Sequence, residues 1–392
     1  MRAILCSGLA LLAASGAATA DDIFHLDGRL RFESADFSGN ANTAEALSWR
    51  NRLGAEFSFG QGWSVLVEGE HVFHLIDDFN DTVNGQTQFP VIADPEATEL
   101  NRLQLAHVSD GRSFVLGRQR MVIGDSRYVG NVGYRQNEQT FDAVRLDFET
   151  AGGIEFGYAY LDRVHRIFGD DSPAGEWDLD THLVTASSAL GAGTLSFTGL
   201  WFENQDVPGM SSQTLAIQWS HVHALESGQF DYYVEFANQT DYGNATGPSY
   251  DLSALRLQLR MRGERFGGWV GLESLDGNGA RGFATPLATL HKFQGFADVF
   301  LGTPANGIRD LYVGGSAGFG DGALLSNRSV NVIWHHFEAE NGGADYGSEL
   351  NIVFNGRVTE RVGFQLKYAD FDGATGGPAS RERLALALSY SY

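Results

Sequence analysis

The sequence predicts an all-β fold: a transmembrane antiparallel β-barrel of about eighteen strands, with short periplasmic turns and long extracellular loops. Three observations carry this. The chain ends Arg381-Glu-Arg-Leu-Ala-Leu-Ala-Leu-Ser-Tyr-Ser-Tyr392, with Leu384, Leu386, Leu388, Tyr390 and Tyr392 on one face of an extended strand and small residues on the other. A bare aromatic strand is a sticky edge in a soluble protein, whereas a barrel pairs its last strand with its first and has no edge. The second observation is the N-terminus, where Arg2, an apolar run Leu9–Ala14 and Ala18-Thr19-Ala20 have the form of an export signal. The third is a recurring two-residue alternation between turns that alternate in length.

The predicted organisation is a signal over 1–20 and a barrel domain over 21–392. The only cysteine, Cys6, lies within the signal, so the exported chain has no thiol chemistry and no disulfide. No segment reaches the ~18–20 continuous apolar residues of a membrane helix. Hydrophobic content is 43% and mean hydropathy is −0.18, values that suit strands divided between lipid and water. The net charge of −22 argues against a nucleic-acid partner. Acids crowd into segments read as loops: Asp77, Asp78, Asp81, Asp94 and Glu96, then Asp170, Asp171, Glu176, Asp178 and Asp180. Lys292 and Lys367 are the only lysines among 27 basic residues. Arginine presents a planar fork to carboxylates and phosphates, although genome composition explains the bias equally well.

Alternation and turn residues place strands at 26–37, 46–59, 63–74, 99–109, 112–120, 138–149, 153–163, 180–189, 193–203, 212–223, 229–239, 249–263, 266–275, 309–319, 327–338, 347–356, 361–371 and 381–392. Short connections fall at 60–62, 109–111, 151–152, 191–192 and 357–360, and long ones at 75–98, 121–137, 164–179 and 276–308. The even count puts both ends on the short-turn side. The two faces are plain in 255–262, where Leu255, Leu257, Leu259 and Met261 alternate with Arg256, Gln258, Arg260 and Arg262. They are equally plain in 26–33 and 47–59, where Arg29, Arg31, Arg50 and Arg52 share the polar side. Trp63, Phe73, Trp201, Phe202, Trp219, Trp269, Trp334, Tyr390 and Tyr392 sit near strand ends, as interfacial girdles would. A barrel of 16–18 strands encloses water, so passage of solute is the expected function.

Three segments are more pointed. Asp94-Pro95 leads to Glu99-Leu-Asn-Arg-Leu103, which contains Arg102. Gly117-Arg-Gln-Arg120 precedes Asp125-Ser-Arg-Tyr-Val-Gly-Asn-Val-Gly-Tyr-Arg-Gln-Asn-Glu-Gln-Thr-Phe-Asp142. The third is Thr285-Pro-Leu-Ala-Thr-Leu-His-Lys-Phe-Gln-Gly-Phe-Ala-Asp-Val-Phe-Leu-Gly-Thr-Pro304. Together they resemble the alginate-export family of outer-membrane porins, over most of the exported chain. Tyr134 and Phe296 stand where many relatives have tryptophan. The resemblance implies an outer-membrane channel for carbohydrate-like, often anionic solutes; the family's best-known type exports alginate through an arginine-rich pore, and many relatives look like general porins.

The residues suggest the same chemistry. Counting the smaller 38–45 loop as first, 121–137 is the third long loop, of the kind that folds into a porin lumen. Arg127 and Arg135 would then join Arg118, Arg120 and Arg145 around a constriction, where rings of arginine favour anions. The alternative is that they pair with Asp125, Glu138 or Asp142 and pin the loop to the wall. Likewise Arg29, Arg31, Arg50 and Arg52 beside Glu68 and Glu70 form either wall-stiffening ion pairs or a transverse field for polar solutes. Candidate lumen residues are thus Arg29, Arg31, Arg50, Arg52, Arg102, Arg118, Arg120, Arg127, Arg135, Arg145, Arg256 and Arg260.

Other patterns fail on context. Gly314-Gly-Ser-Ala-Gly318 has nucleophile-elbow spelling but sits in a strand, where that chemistry needs a strand–turn–helix. Gly277-Asn-Gly-Ala-Arg-Gly282 lacks a surrounding βαβ unit. His335 and His336 point oppositely on a strand, so they cannot chelate together. No catalytic group, metal or cofactor is expected. Competing readings are a barrel hydrolase, which needs a Ser/His/acid cluster, and a surface adhesin or receptor acting through acidic loops. Expected partners are membrane lipid and lipopolysaccharide, the assembly machinery through the last strand, and hydrophilic or anionic carbohydrate solutes; monomer and trimer both stay open.

Overall fold

The computed structural model describes residues 23–392; the expected signal lies outside the described residues. Eighteen antiparallel strands form one sheet closed on itself. They are β1 Phe24–Phe37, β2 Ala44–Phe59, β3 Trp63–Asp78, β4 Ala97–Ser109, β5 Arg112–Gln119, β6 Thr140–Glu149, β7 Glu155–His165, β8 Glu176–Leu190, β9 Gly193–Phe202, β10 Ser212–Leu225, β11 Gly228–Asp241, β12 Asp251–Gly263, β13 Phe266–Leu275, β14 Ile308–Gly320, β15 Ser326–Glu338, β16 Asp345–Arg357, β17 Val362–Gly373 and β18 Arg381–Ser391. Each pairs with its chain neighbours, and β1 pairs with β18 from Asp27↔Ser391 to Phe37↔Arg381. The ends lock reciprocally: Leu26 N–H donates to Tyr392 O at 3.0 Å, and Tyr392 N–H to Leu26 O at 2.8 Å. Closure leaves no unpaired edge, which is what a strand crossing hydrocarbon requires.

Every expected strand is present. The largest differences lie at the long-loop rim, where β3 runs on to Asp78 and β8 begins at Glu176. Asp77, Asp78, Glu176, Asp178 and Asp180 are therefore strand residues, not loop residues. At the rim a strand stands in water, so the apolar face used to mark its end disappears while its backbone pairing continues. Asp94 departs in the other direction, being a buried partner of Arg31.

The alternation is realised as two walls. On β18, Leu384 and Leu386 are 37% and 38% exposed, while Arg383 and Ala385 are 5% and 4% exposed. Leu53, Phe57, Ile217, Phe236, Leu259, Met261 and Val313 continue the outward apolar face around the barrel. Trp49, Trp219, Trp334 and Tyr392 share it. Trp269 and Phe202 do not. Trp269 pairs with Arg260 on the inner face, and Phe202 is fully buried against Leu161 and Leu200. Position near a strand end marks a girdle only when parity also points outward.

The interior is not empty. The connection 120–139 and the connection 276–307 both fold inward, and their apolar residues belong to two buried clusters against the wall. Tyr128, Phe283, Ala297 and Phe300 pack with Ile308, Phe337 and Phe371. Met121, Val129 and Leu287 pack with Phe141, Leu161 and Leu183. The segment 291–300 lies in the second inward loop, as its expected place in a long connection requires.

The two walls give a direct test. Leu386→Arg on the outward face should destabilise the barrel by roughly 2–4 kcal/mol, whereas Ala387→Arg on the inward face should cost much less. Denaturant titrations of both variants in lipid vesicles decide this; equal costs would contradict the assignment of faces.

Candidate functional site

The constriction is made where the two inward loops meet. Val129 and Leu287 form a parallel bridge, Gly130 N–H donates to Leu287 O at 2.9 Å, and Thr289 N–H donates to Ser126 O at 3.0 Å. Gln139 Nε2 donates to both Gly130 O and Leu287 O, at 2.8 and 2.9 Å. Gly130 is required at this crossing, since a Cβ there would lie 2.3 Å from Thr289 Oγ1 and 2.7 Å from Ser126 Cβ. A second glycine seats the other loop. Gly295 has φ +82°, and the Glu349 carboxylate lies where its Cβ would be. Glu349 accepts from Phe296 N–H at 2.5 Å and Ala297 N–H at 2.9 Å. The Gln294-Gly-Phe-Ala-Asp298 segment is thus a backbone cradle clamped on a wall carboxylate.

Ion pairs bind both loops to the wall and to each other. Arg135 reaches Asp298 at 2.8 Å, Glu33 at 3.5 Å and Asp94 at 3.8 Å. Arg127 reaches Glu273 at 2.8 Å, and its guanidinium lies over Phe293. Asp125 accepts from Arg256 at 2.5 Å, and Arg256 also meets Glu235 and Glu273. Tyr128 Oη donates to Glu235 at 2.8 Å. Of the expected acids, Glu138 pairs with Arg120 and Asp142 with Arg118, whereas Arg127 and Arg135 take other partners and Asp125 serves Arg256. The expectation rested on nearness in sequence, whereas a folded-in loop meets strands across the lumen.

The remaining candidates divide clearly. Arg31 pairs with Glu33 and Asp94, Arg50 with Asp27, and Arg52 with Glu70. Arg102 grips Glu68 through Nε and Nη2 at 2.8 and 2.6 Å. Arg120 pairs with Glu138, and Arg145 with Asp147. Arg118 is a correction. It is in register with Leu103, which is 47% exposed on the outward face, and it grips Asp142 at 2.9 and 3.2 Å near the long-loop rim. It therefore does not line the constriction; it shares the outward parity of Leu116, a signal the sequence already carried.

Two of the twelve candidates, Arg29 and Arg260, have no carboxylate within 4.0 Å among the described residues. Arg29 donates instead to Gln136 Oε1 and Gly133 O, both at 2.8 Å, and to Arg135 O. It lines a cavity of about 340 Å³ with Arg31, Gly133, Tyr134, Gln365, Lys367, Ala385, Ala387 and Ser389. Lys367 likewise has no acid partner among the described residues. Its Nζ lies 2.9 Å from His291 Nε2 and over the Tyr134 and Phe296 rings at 4.4 and 4.1 Å. Sequence reasoning noted Lys367 only as a rare lysine and missed Gln365 and Ser389. Their inward parity on 361–371 and 381–392 was the available signal.

His291 is the hinge of this cluster. Its ring stacks on Tyr134 with centroids 3.5 Å apart, and its Nδ1 lies 2.7 Å from Asp298 Oδ1. A neutral ring that donates from Nδ1 to Asp298 and accepts at Nε2 from the Lys367 amine satisfies both contacts. Burial lowers its pKa from 6.5 to about 3, with Lys367 reinforcing and Asp298 opposing the shift. Burial opposes the charged form of Glu138 too, but Arg52 and Arg120 outweigh it and draw its carboxyl down to about 2.

Eighteen antiparallel strands, closure of first on last, an apolar outside and two loops folded into a charged inside define the fold of an outer-membrane porin. Solved structures agree. Pseudomonas aeruginosa OpdO superposes with a TM-score of 0.71 at 17% identity, covering 95% of this chain and 98% of its own. OccK9 (OpdG) from the same organism gives 0.72 at 16% identity, covering 94% and 98%. OccK2 (OpdF), solved in complex with glucuronate, gives 0.68 at 15% identity, covering 94% and 96%. Such identities establish the shared fold. No protein-family model matches the chain, and no curated protein matches it in sequence.

Two outcomes follow. Arg135→Ala removes the cation that joins Asp298 to Glu33 and Asp94, while Arg31 still serves the latter two, so the barrel should lose about 1.5–3 kcal/mol and its single-channel current should become noisier; an unchanged unfolding midpoint would contradict the pinning role. A base whose folded pKa is lowered contributes stability above its ordinary value and loses it as pH falls towards the folded one. Loop packing should therefore weaken from pH 6.5 down towards 3, seen as rising current noise, and His291→Gln should abolish the part of that rise due to imidazole. Noise with the same pH profile in both proteins would contradict it.

Proposed function

We propose that this chain forms a passive aqueous channel in the bacterial outer membrane for small hydrophilic solutes, with a preference for anions such as sugar acids and short acidic oligosaccharides. Residues 1–20 direct export, and the barrel occupies 21–392. The apolar outer wall meets lipid and lipopolysaccharide, and the last strand offers its aromatic end to the assembly machinery.

One observation carries the anion preference. Among many compensated lumen charges, Arg29 and Lys367 line one cavity without a carboxylate partner. A guanidinium held by carbonyls keeps its charge, and a carboxylate solute can approach both cations. Gln365 and Ser389 add neutral donors beside them. A glucuronate complex of a protein with the same fold supports a sugar-acid reading. The channel has no energy input of its own, so solute gradients set the direction of flow.

Planar-bilayer recording tests this. The purified folded chain should conduct, with anions more permeant than cations; absence of current would sink the channel reading. Arg29→Ala combined with Lys367→Ala should shift the anion/cation permeability ratio several-fold towards cations. An unchanged ratio would remove both residues from the selectivity.

A further inference from the structure

Below the inward loops, towards the short-turn rim, the wall formed by β11 to β14 carries a feature the channel reading leaves unused. The loops engage the tier Glu235, Arg256 and Glu273, which are cross-strand neighbours. Two residues nearer the short turns, the next tier is Tyr233, Gln258, Gly271 and Tyr312. The tier after that is Asp231, Arg260, Trp269 and Gly314. Their outward neighbours Leu257, Leu259, Val270 and Val313 are 38–51% exposed, so both tiers face the lumen.

Each of these tiers places an aromatic ring beside a glycine. A Cβ on Gly271 would lie 2.1 Å from Tyr312 Cζ, and one on Gly314 would lie 2.2 Å from Trp269 Cε2. Both rings therefore lie down across a neighbouring strand's bare backbone. The polar groups around them are under-used. Gln258 Nε2 donates to Tyr312 Oη at 3.0 Å, but Tyr233 Oη and Arg260 Nε have no hydrogen-bond partner. Arg260 has no acid within 4.0 Å among the described residues; its guanidinium rests 5.1 Å from the Trp269 ring centroid, while Asp231 is taken by Arg262. Buried polar atoms are nearly always satisfied, so two buried orphans behind these rings leave the wall's polar pairing incomplete.

We propose that this wall is a saccharide subsite, distinct from the Arg29–Lys367 cavity on β17, β18 and β1. It takes the pyranose ring of a sugar acid on Tyr312 and Trp269, with Arg260 holding the carboxylate. Flat aromatic faces offer apolar area at low entropic cost and suit the C–H face of a sugar. The subsite rests on the channel reading and deepens it by naming the ring, beyond the charge, as something the channel recognises.

The test is single-channel recording of the full folded chain in potassium chloride, with sodium glucuronate added on the short-turn side. Wild type should show concentration-dependent current interruptions, whereas sodium acetate, a carboxylate without a ring, should give none. Trp269→Leu and Tyr312→Leu should each shorten the interruptions by roughly three- to tenfold while leaving the chloride current in place, and Trp269→Phe should restore most of the duration. Arg260→Gln should shorten them for glucuronate but not for glucose. Interruptions absent in a conducting wild type, or unchanged in both leucine variants, overturn the subsite alone. Absence of any chloride current overturns the channel reading beneath it.

Discussion

Hydrocarbon on the outside of the cylinder dictates where everything else goes. It cannot hydrogen-bond a backbone amide, so the sheet must close. It repels charge, so arginines and acids on the transmembrane strands turn inward. Charges gathered inside a cylinder then face one another at short range, and most neutralise in pairs. The two inward loops exploit that network: Arg127, Arg135 and Asp125 each answer a wall charge of opposite sign. Without lipid outside there would be no reason for this chain to keep its charge within.

The network also explains why a few charges matter more than many. Arg52 or Arg102, gripped by a carboxylate, presents little net field to a solute. Arg29, held by carbonyls, and Lys367, set against an imidazole, meet no acid that would cancel a positive charge. The proposed anion preference thus rests on what is left over after pairing, and net charge is a poor guide to it. A chain of charge −22 can present a locally cationic lumen because its surplus acids lie elsewhere.

Much of the fold was legible because a period of two is a local signal. Leu384, Leu386 and Leu388 declare their face without reference to any other strand. Strand ends at the outer rim were less legible, since Asp77 and Glu176 look alike in a loop or on a strand that has left the membrane. The site was legible as a set of residue types and as an inward third loop. Its pairing was not, because Arg135 and Asp298 stand far apart in sequence and meet only when both loops fold in. Arg118 misled because its charge was weighed above its parity, which is that of the outward Leu116.

The central claim, water inside and hydrocarbon outside, is tested most directly by cysteine scanning along β18, in a chain whose one native cysteine, Cys6, lies far from that strand in sequence. Single cysteines at 385, 387 and 389, and at 384, 386 and 388, are exposed to a membrane-impermeant anionic thiol reagent while current is recorded. Our account predicts rapid modification and a drop in anion current at the odd positions, and none at the even positions. Equal reactivity at both sets, or reaction confined to the even positions, would contradict it.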